Sequence, residues 1–351
     1  MKRAKLIFAM LFFIIPALAA CGSDGDIDAF RLTEHDHGYR AVGYIEFMND
    51  NLYARAAFTY RELEAAEWIA GTLVAMGHNA ENIELQSFNR YDAFDAGWIW
   101  HRWDGPNRDM FWRSAEVRLY SQNVVLTMPG QSESKIIVGA HYDTLPYPGA
   151  SDNAGGVALL LESAHRMLGR DNYHTIVYVF FGAEEIGLTG AHAFLDGLTQ
   201  AQRDNIVLMV NADVLFEGEF FFYGAGYNRL GRPAQNDVSA FVSDIALQVL
   251  ERHDIYIASM PGAIYLASDQ RVFLFAGHTV VLLAGAHLQP ADEYRGAHWG
   301  YYGEYVKTGR LLHSERDCFH YINRAWPGKI DRAMHTFSIF LEELLMARYN
   351  F

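Results

Sequence analysis

The chain has 351 residues, with 28 Lys and Arg against 42 Asp and Glu for a net charge of −14, and only two cysteines. A hydrophobic share of 51% with 20% charged residues belongs to a globular chain with a sizeable core, not to a disordered or fibrous one. Two cysteines cannot form a disulfide framework, and the acidic balance argues against nucleic acid or an anionic membrane surface as principal partner, since both are bound through clustered Lys and Arg.

At the N-terminus, Lys2, Arg3 and Lys5 precede an apolar run from Leu6 to Leu18 that is too short for a comfortable membrane span. Residues 1–20 therefore read as an export signal. The run ends in Leu18-Ala19-Ala20-Cys21, with Gly22 and Ser23 following, and resembles the lipobox of bacterial lipoproteins. That resemblance implies cleavage before Cys21, acylation of this cysteine, and an exported protein lipid-anchored to a bacterial membrane. An ordinary secretory signal cleaved after an Ala-x-Ala-like site is the alternative. Loss of residues 1–20 removes three positive charges and takes −14 to −17. Residues 21–35 then form a polar tether, and residues 36–351 one large domain without internal repeats or low-complexity linkers.

Within the domain, residues 36–77 predict two helices. Thr59 and Glu62 have capping-box spacing ahead of an apolar face with Leu63, Ala66, Trp68 and Leu73, and Gly77 supplies the stop. Residues 91–118 form an aromatic insertion with Trp98, Trp100, Trp103 and Trp112. It reads as a β-hairpin packed on the domain, with an aromatic wall for substrate or a membrane-facing patch as the other possibility. Val124–Met128 and Lys135–Ala140, separated by a turn at Pro129 and Gly130, predict paired strands. A helix from Gly155 to Leu168 follows, then buried strands at Thr175–Phe181 and Ile206–Val210, a strand at Glu219–Tyr223, a helix from Asp237 to Arg252, a strand at Thr279–Leu283 and a terminal helix from Ile330 to Met346. Alternation of strands and helices predicts an α/β fold with an at least partly parallel sheet.

Polar residues gather where ligands bind in such sheets, just past the carboxyl ends of strands. Ile136–Ala140 runs into His141 and Asp143, Thr175–Phe181 into Glu184 and Glu185, and Ile206–Val210 into Asn211 and Asp213. The turn Ser151-Asp152-Asn153-Ala154-Gly155-Gly156 opens a helix between the first two, and His313 and Asp317 stand far downstream. Singly, each has a bland explanation as a strand-end polar residue, an N-cap or a solvated pair. Together they make an inventory of imidazoles and carboxylates suited to zinc. The charges of two Zn²⁺ are balanced by Asp152, Glu185, Asp213 and one hydroxide with two neutral histidines. Glu184 is then left over as a free carboxylate, where a general base belongs.

These segments resemble the co-catalytic di-zinc aminopeptidases of the bacterial leucyl aminopeptidase type, whose relatives include glutamate carboxypeptidase and the glutaminyl cyclases. The resemblance covers roughly residues 36–346. It is carried by Gly139-Ala140-His141-Tyr142-Asp143-Thr144, Ser151-Asp152-Asn153-Ala154-Gly155-Gly156, Phe180-Phe181-Gly182-Ala183-Glu184-Glu185-Ile186-Gly187, Asn211-Ala212-Asp213 and His313-Ser314-Glu315-Arg316-Asp317. It implies a three-layer zinc-exopeptidase fold, a central mixed, mostly parallel sheet flanked by helices. It further implies that His141 and Asp213 hold one zinc, Glu185 and His313 the other, and that Asp152 bridges them. Glu184 would be the general base for a two-zinc-activated water that hydrolyses N-terminal residues from peptides. Asp143 is expected to orient His141, and Asp317 to be the acid partner of His313. A cis peptide is expected at Asp152–Asn153. Tyr265, three residues before Ser268-Asp269, matches the spacing of a family tyrosine that donates to the oxyanion, although Gln270 stands where the family has His. An ordinary aromatic in a strand or loop is the competing reading of Tyr265.

His287 and His298, in the long loop 285–312, are rivals for the last ligand position; the resemblance favours His313, whose acid partner Asp317 stands four residues on as in the family. A single-zinc glutaminyl cyclase and a catalytically inactive binding relative are the alternatives to a peptidase. Retention of His141 with the Asn211-x-Asp213 step favours the peptidase, and intact Glu184 argues against a binding module. No His-Glu-x-x-His, Gly-x-Ser-x-Gly or Gly-Lys-Ser/Thr motif is present. Cys318 reads as an inert cysteine.

Overall fold

Strands form where the chain carries apolar runs bounded by turn residues, and the computed structural model describes them within residues 29–90, 118–218, 220–227, 237–286 and 311–349. The strands are β1 (Ile83–Asn89), β2 (Tyr120–Met128), β3 (Ser132–His141), β4 (His174–Phe181), β5 (Ile206–Ala212), β6 (Phe220–Gly226), β7 (Ala258–Ser259) and β8 (Val280–Ala286). They make one mixed sheet in the order β1-β2-β4-β3-β5-β8-β6-β7. Its centre, β4-β3-β5-β8, is parallel, as is β6-β7, while β1-β2, β2-β4 and β6-β8 are antiparallel.

The helices are α1 (Tyr39–Asn51), α2 (Tyr60–Ala75), α3 (Gly155–Met167), α4 (Thr189–Gly197), α5 (Gln200–Asp204), α6 (Asp237–His253), α7 (Gln270–Phe275), α8 (Phe319–Ala325) and α9 (Lys329–Met346). Side chains of a strand alternate between its two faces, and the sheet uses both. Ile136, Val138, Ile176, Tyr178, Leu208 and Val210 pack in the core that contains α1, α2, α3, α6 and α9. Ile137, Val177, Val179, Phe181 and Met209 face the opposite way, onto α4 and α7. The result is the expected three-layer arrangement.

Two sequence expectations need correction. The strands flanking Pro129-Gly130 are not paired with each other: β4 lies between them, antiparallel to β2 and parallel to β3. The turn hydrogen-bonds to the start of β4 instead, with Gly130 N–H on Thr175 Oγ1 and Ser132 N–H on the Tyr173 carbonyl. An almost wholly buried strand such as β4 needs ladder partners on both edges, and that requirement overrides sequence adjacency. The capping box at α2 is half formed. Thr59 Oγ1 accepts the Glu62 N–H at 3.3 Å, but the Glu62 carboxylate accepts from Phe58 N–H and Ser121 Oγ, both at 2.7 Å. Gly77, at φ +106°, ends α2 as expected. Glu219, the aromatic insertion apart from Arg118, and residues 287–310 with His287 and His298 lie outside the described residues.

Candidate metal centre

Because β4, β3 and β5 are parallel neighbours, their carboxyl ends emerge side by side. This places His141 at the end of β3, the Glu184–Glu185 turn after β4 and Asp213 just after β5 on one rim. Asp152 arrives on the turn that opens α3. Asn153 fixes that turn: its amide donates to the Ala212 carbonyl of β5 at 2.9 Å, and its oxygen accepts Gly156 N–H at 3.0 Å. A Cβ on Gly156 would collide with that same amide and carbonyl, so only glycine permits this approach of α3 to the sheet. The Asp152–Asn153 peptide is cis, as expected.

The five expected ligands converge in two overlapping triads. His141 Nε2 lies 3.1 Å from Asp152 Oδ1 and 3.3 Å from Asp213 Oδ1. His313 Nε2 lies 3.0 Å from Asp152 Oδ2 and 3.4 Å from Glu185 Oε2. Within each triad the donor atoms lie within 4.8 Å of one another, and Asp152 belongs to both. The backbone is held in left-handed conformations beside these ligands, at Ala183 (φ 56°), Val214 (φ 52°) and His313 (φ 54°). Non-glycine residues rarely adopt this conformation, which costs about 1–3 kcal/mol each, and such residues concentrate at functional sites.

The outer contacts differ in part from expectation. His141 Nδ1 meets the Asp143 carbonyl at 3.1 Å and the Asp143 carboxylate at 3.5 Å. Both are acceptors, so Nδ1 keeps its proton, and Nε2 is the nitrogen that can present a lone pair to the triad once the imidazole is neutral. The Asp143 carboxylate chiefly organises the next turn, accepting Glu184 N–H at 2.9 Å and Glu185 N–H at 3.2 Å. Asp317, expected beside His313, has both carboxylate oxygens on the backbone N–H groups of Ser151 and Asp152. It therefore fastens the main chain at Asp152, because two adjacent N–H groups of a tight turn offer a carboxylate a bidentate seat. Glu185 is held by Leu145 N–H on Oε1 at 3.2 Å, which leaves Oε2 toward His313.

The site is acid-rich and draws cations. Burial opposes the charged form of His141, but Glu184, Asp213 and hydrogen bonds to Asp143 and Asp152 outweigh it and hold the imidazole well above its ordinary value. His313 behaves alike: burial opposes its charge, while Glu185 and Asp152 push it up to about 12. Asp152 is held below the carboxylate range despite burial, by hydrogen bonds to both histidines. Protons on the imidazoles thus sit where a cation is demanded, and the His and carboxylate donors suit zinc; the residues present fit two such ions. Glu184 is half-buried, and among the described residues its carboxylate accepts no hydrogen bond. Burial raises its carboxyl well above the ordinary range, with His141 opposing and Asp269, Glu185 and Asp213 adding to it.

Tyr265 ends a single 3-10 turn, Pro261–Tyr265, with 51% of its surface exposed and no hydrogen bond from its hydroxyl among the described residues. Gln270 joins the Asn211 amide, at 2.9 Å, to the Leu266 carbonyl, at 3.0 Å, and Ser268 Oγ meets the same amide at 2.8 Å. Two residues escaped the sequence reading. Asp269, between those two anchors, is fully buried, and neither of its carboxylate oxygens has a hydrogen-bond partner among the described residues. Arg55, between α1 and α2, is also fully buried. Burial draws its guanidinium down to about 10, against the pull of Asp317, Asp143, Asp152 and Glu185. An isolated Arg in an inter-helix segment carries no local signal; the one available clue to Asp269 was its place in the Ser268-Asp269-Gln270 step.

Two histidine and carboxylate triads sharing one aspartate, at the carboxyl rim of a mixed α/β sheet, define a metal-dependent hydrolase. Residues 123–338 match the model of peptidase family M28. The chain belongs to that family and is a metallopeptidase. It is similar to the alkaline phosphatase isozyme conversion protein of Escherichia coli (strain K12), 24% identical over 306 residues that cover 79% of this chain and 81% of that protein. A shorter stretch of 98 residues is 36% identical to the "Probable lipoprotein aminopeptidase LpqL" of Mycobacterium tuberculosis, covering 27% of this chain and 20% of the relative. Among solved structures, the fold is shared with BSAP, a zinc aminopeptidase from Bacillus subtilis, at TM-score 0.63 and 16% identity over 90% of this chain and 96% of that one.

Proposed function

We propose that the chain is a zinc aminopeptidase that removes N-terminal residues from peptides and is attached to a bacterial membrane through lipid on Cys21. The observation that carries the catalytic part is the pair of triads sharing Asp152, with the uncommitted Glu184 carboxylate next to them. His141 and Asp213 would hold one ion, Glu185 and His313 the other, with Asp152 between them. Zinc bound there supplies Lewis acidity toward the scissile carbonyl and acidifies water.

The remaining work falls to the chain's own groups. Glu184 takes the proton of the attacking water and passes it to the leaving amine, and its raised proton affinity suits both halves of that exchange. Its direction is set by Asp143, which fixes the Glu184 and Glu185 N–H groups on one carboxylate. Tyr265, exposed and without a hydrogen-bond partner among the described residues, donates its hydroxyl to the oxyanion. Asp317 holds the main chain of Asp152 against movement.

The anchor rests on the Leu18-Ala19-Ala20-Cys21 step, and a relative named as a lipoprotein supports it. No helix among the described residues is long and apolar enough to cross a membrane.

Metal analysis together with hydrolysis of a panel of aminoacyl anilides tests the catalytic reading. Wild type should bind zinc and release the anilide. Glu184→Gln should keep the metal and lose activity by roughly 10²- to 10⁴-fold, the usual contribution of a general base. Full occupancy with no hydrolysis by either protein would remove the peptidase reading, and cyclisation of an N-terminal Gln peptide would replace it with an acyltransferase.

A further inference from the structure

Arg55 lies in the link Leu52–Thr59 between α1 and α2 and has no exposed surface. Such burial of a guanidinium demands that its donors be met. Four of its five are met, by main-chain carbonyls alone: Nε by Tyr142, Nη1 by Pro148 at 3.1 Å and Leu52 at 3.3 Å, and Nη2 by Gly149 at 3.1 Å. None of these bonds goes to a carboxylate. Tyr142, Pro148 and Gly149 mark the two ends of the loop that leaves His141 and enters the Asp152 turn. That loop also supplies Asp143, which positions the Glu184–Glu185 turn, and Leu145 N–H, which holds Glu185.

Two further features bind the same link to the same loop. Its main chain is tied on by Ala54 N–H to the Tyr147 carbonyl at 3.3 Å and by Thr144 N–H to the Arg55 carbonyl at 3.2 Å. Ala56, Ala57 and Phe58 pack in one cluster with Leu145, Ala183 and Ile186, so the link touches both ligand-bearing turns. Ala54 (φ 55°) and Phe58 (φ 57°) flank the arginine in left-handed conformations, which persist only where the surroundings over-determine them.

We propose that Arg55 is a positioning residue of the metal centre, whose guanidinium fastens the loop between His141 and Asp152 by its carbonyls and sets the ligand geometry before metal arrives, without touching a ligand. The planar five-donor fork reaches several carbonyls in fixed directions, which an ammonium does not. This role rests on the metal reading given above.

The test compares metal-free wild type, Arg55→Met and Arg55→Lys by zinc competition against a chelating dye and by hydrogen exchange, with circular dichroism to confirm folding. Arg55→Met should bind zinc on the order of ten- to a hundred-fold more weakly, as losses of outer supporting contacts do, and the Thr144 and Leu145 amides should exchange faster. Arg55→Lys, with the charge but a single nitrogen, should recover only part of the affinity. Wild-type affinity in Arg55→Met, or full rescue by Arg55→Lys, would overturn the proposal while leaving the metal reading intact. If wild type itself takes up no zinc, the metal reading falls and this role with it. Should Arg55→Met fail to fold, wild type alone decides. Slow exchange of Thr144 and Leu145 before zinc is added supports a loop fixed in advance, and fast exchange that slows only with zinc refutes it.

Discussion

Zinc uptake by the metal-free protein should expel protons. With His313 pushed up to about 12 and His141 well above its ordinary value, both imidazoles are charged at neutral pH before metal binds. A ligating imidazole must be neutral, so filling both triads should release about two protons, one per histidine, and raise apparent affinity about tenfold per pH unit for each. The same shifts fix the sign of the metal-free protein's pH dependence. Folded values above the unfolded value of about 6.5 give a stabilisation that is complete below that pH. It is lost as pH rises toward the folded values, at about 1.4 kcal/mol per unit and group. The raised carboxyls of Glu184 and Glu185 act in the same direction. Metal-free protein should therefore melt at lower temperature at pH 9 than at pH 7, while the rise in Tm produced by zinc should grow. Calorimetric titration in buffers of different ionisation enthalpy counts the protons, and His313→Gln should reduce the count by one. A release near zero, or a zinc effect on Tm indifferent to pH, would refute the charge state assigned to the centre.

Two substitutions probe the surrounding contacts. Tyr265→Phe should lower kcat on aminoacyl anilides by about 10²- to 10³-fold, the range for loss of one oxyanion donor, with KM little changed; an unchanged kcat would return Tyr265 to the status of an ordinary surface aromatic. Asp317→Asn turns one acceptor toward the Ser151 or Asp152 N–H into a donor, and urea denaturation should show a loss of about 1–3 kcal/mol, the cost of a buried polar group left unmatched. Equal stability of that variant and wild type would show that the two N–H groups do not depend on the carboxylate.

The boundaries of α3, α9 and the central strands follow the apolar pattern within a few residues, because periodicity is a property of neighbours along the chain. β1, α4 and α7 have no comparable signature. β1 is an edge strand mostly facing outward, and α4 and α7 span only Thr189–Gly197 and Gln270–Phe275, too short to show a helical stripe. The residues expected as ligands at the strand ends and in the Asp152 turn were also legible, since each stands directly after an apolar strand or inside a recognisable turn, whereas His313 was reached only through the family resemblance.

What the amino-acid order by itself determined is thus the inventory: which strands end in which acids and imidazoles. Tertiary structure alone decided who serves whom. β4 enters between β2 and β3 to satisfy two edges, which aligns the strand ends that lead into His141, the Glu184–Glu185 turn and Asp213. Besides the nearby Leu52 carbonyl, Arg55 grips carbonyls 87 to 94 residues away, and Asp317 caps an N–H 166 residues upstream. Partners so far apart leave no periodicity or spacing in the sequence, because their meeting depends on the burial of the whole sheet and its helices, and buried charges and N–H groups must then find whatever acceptors the fold brings within reach.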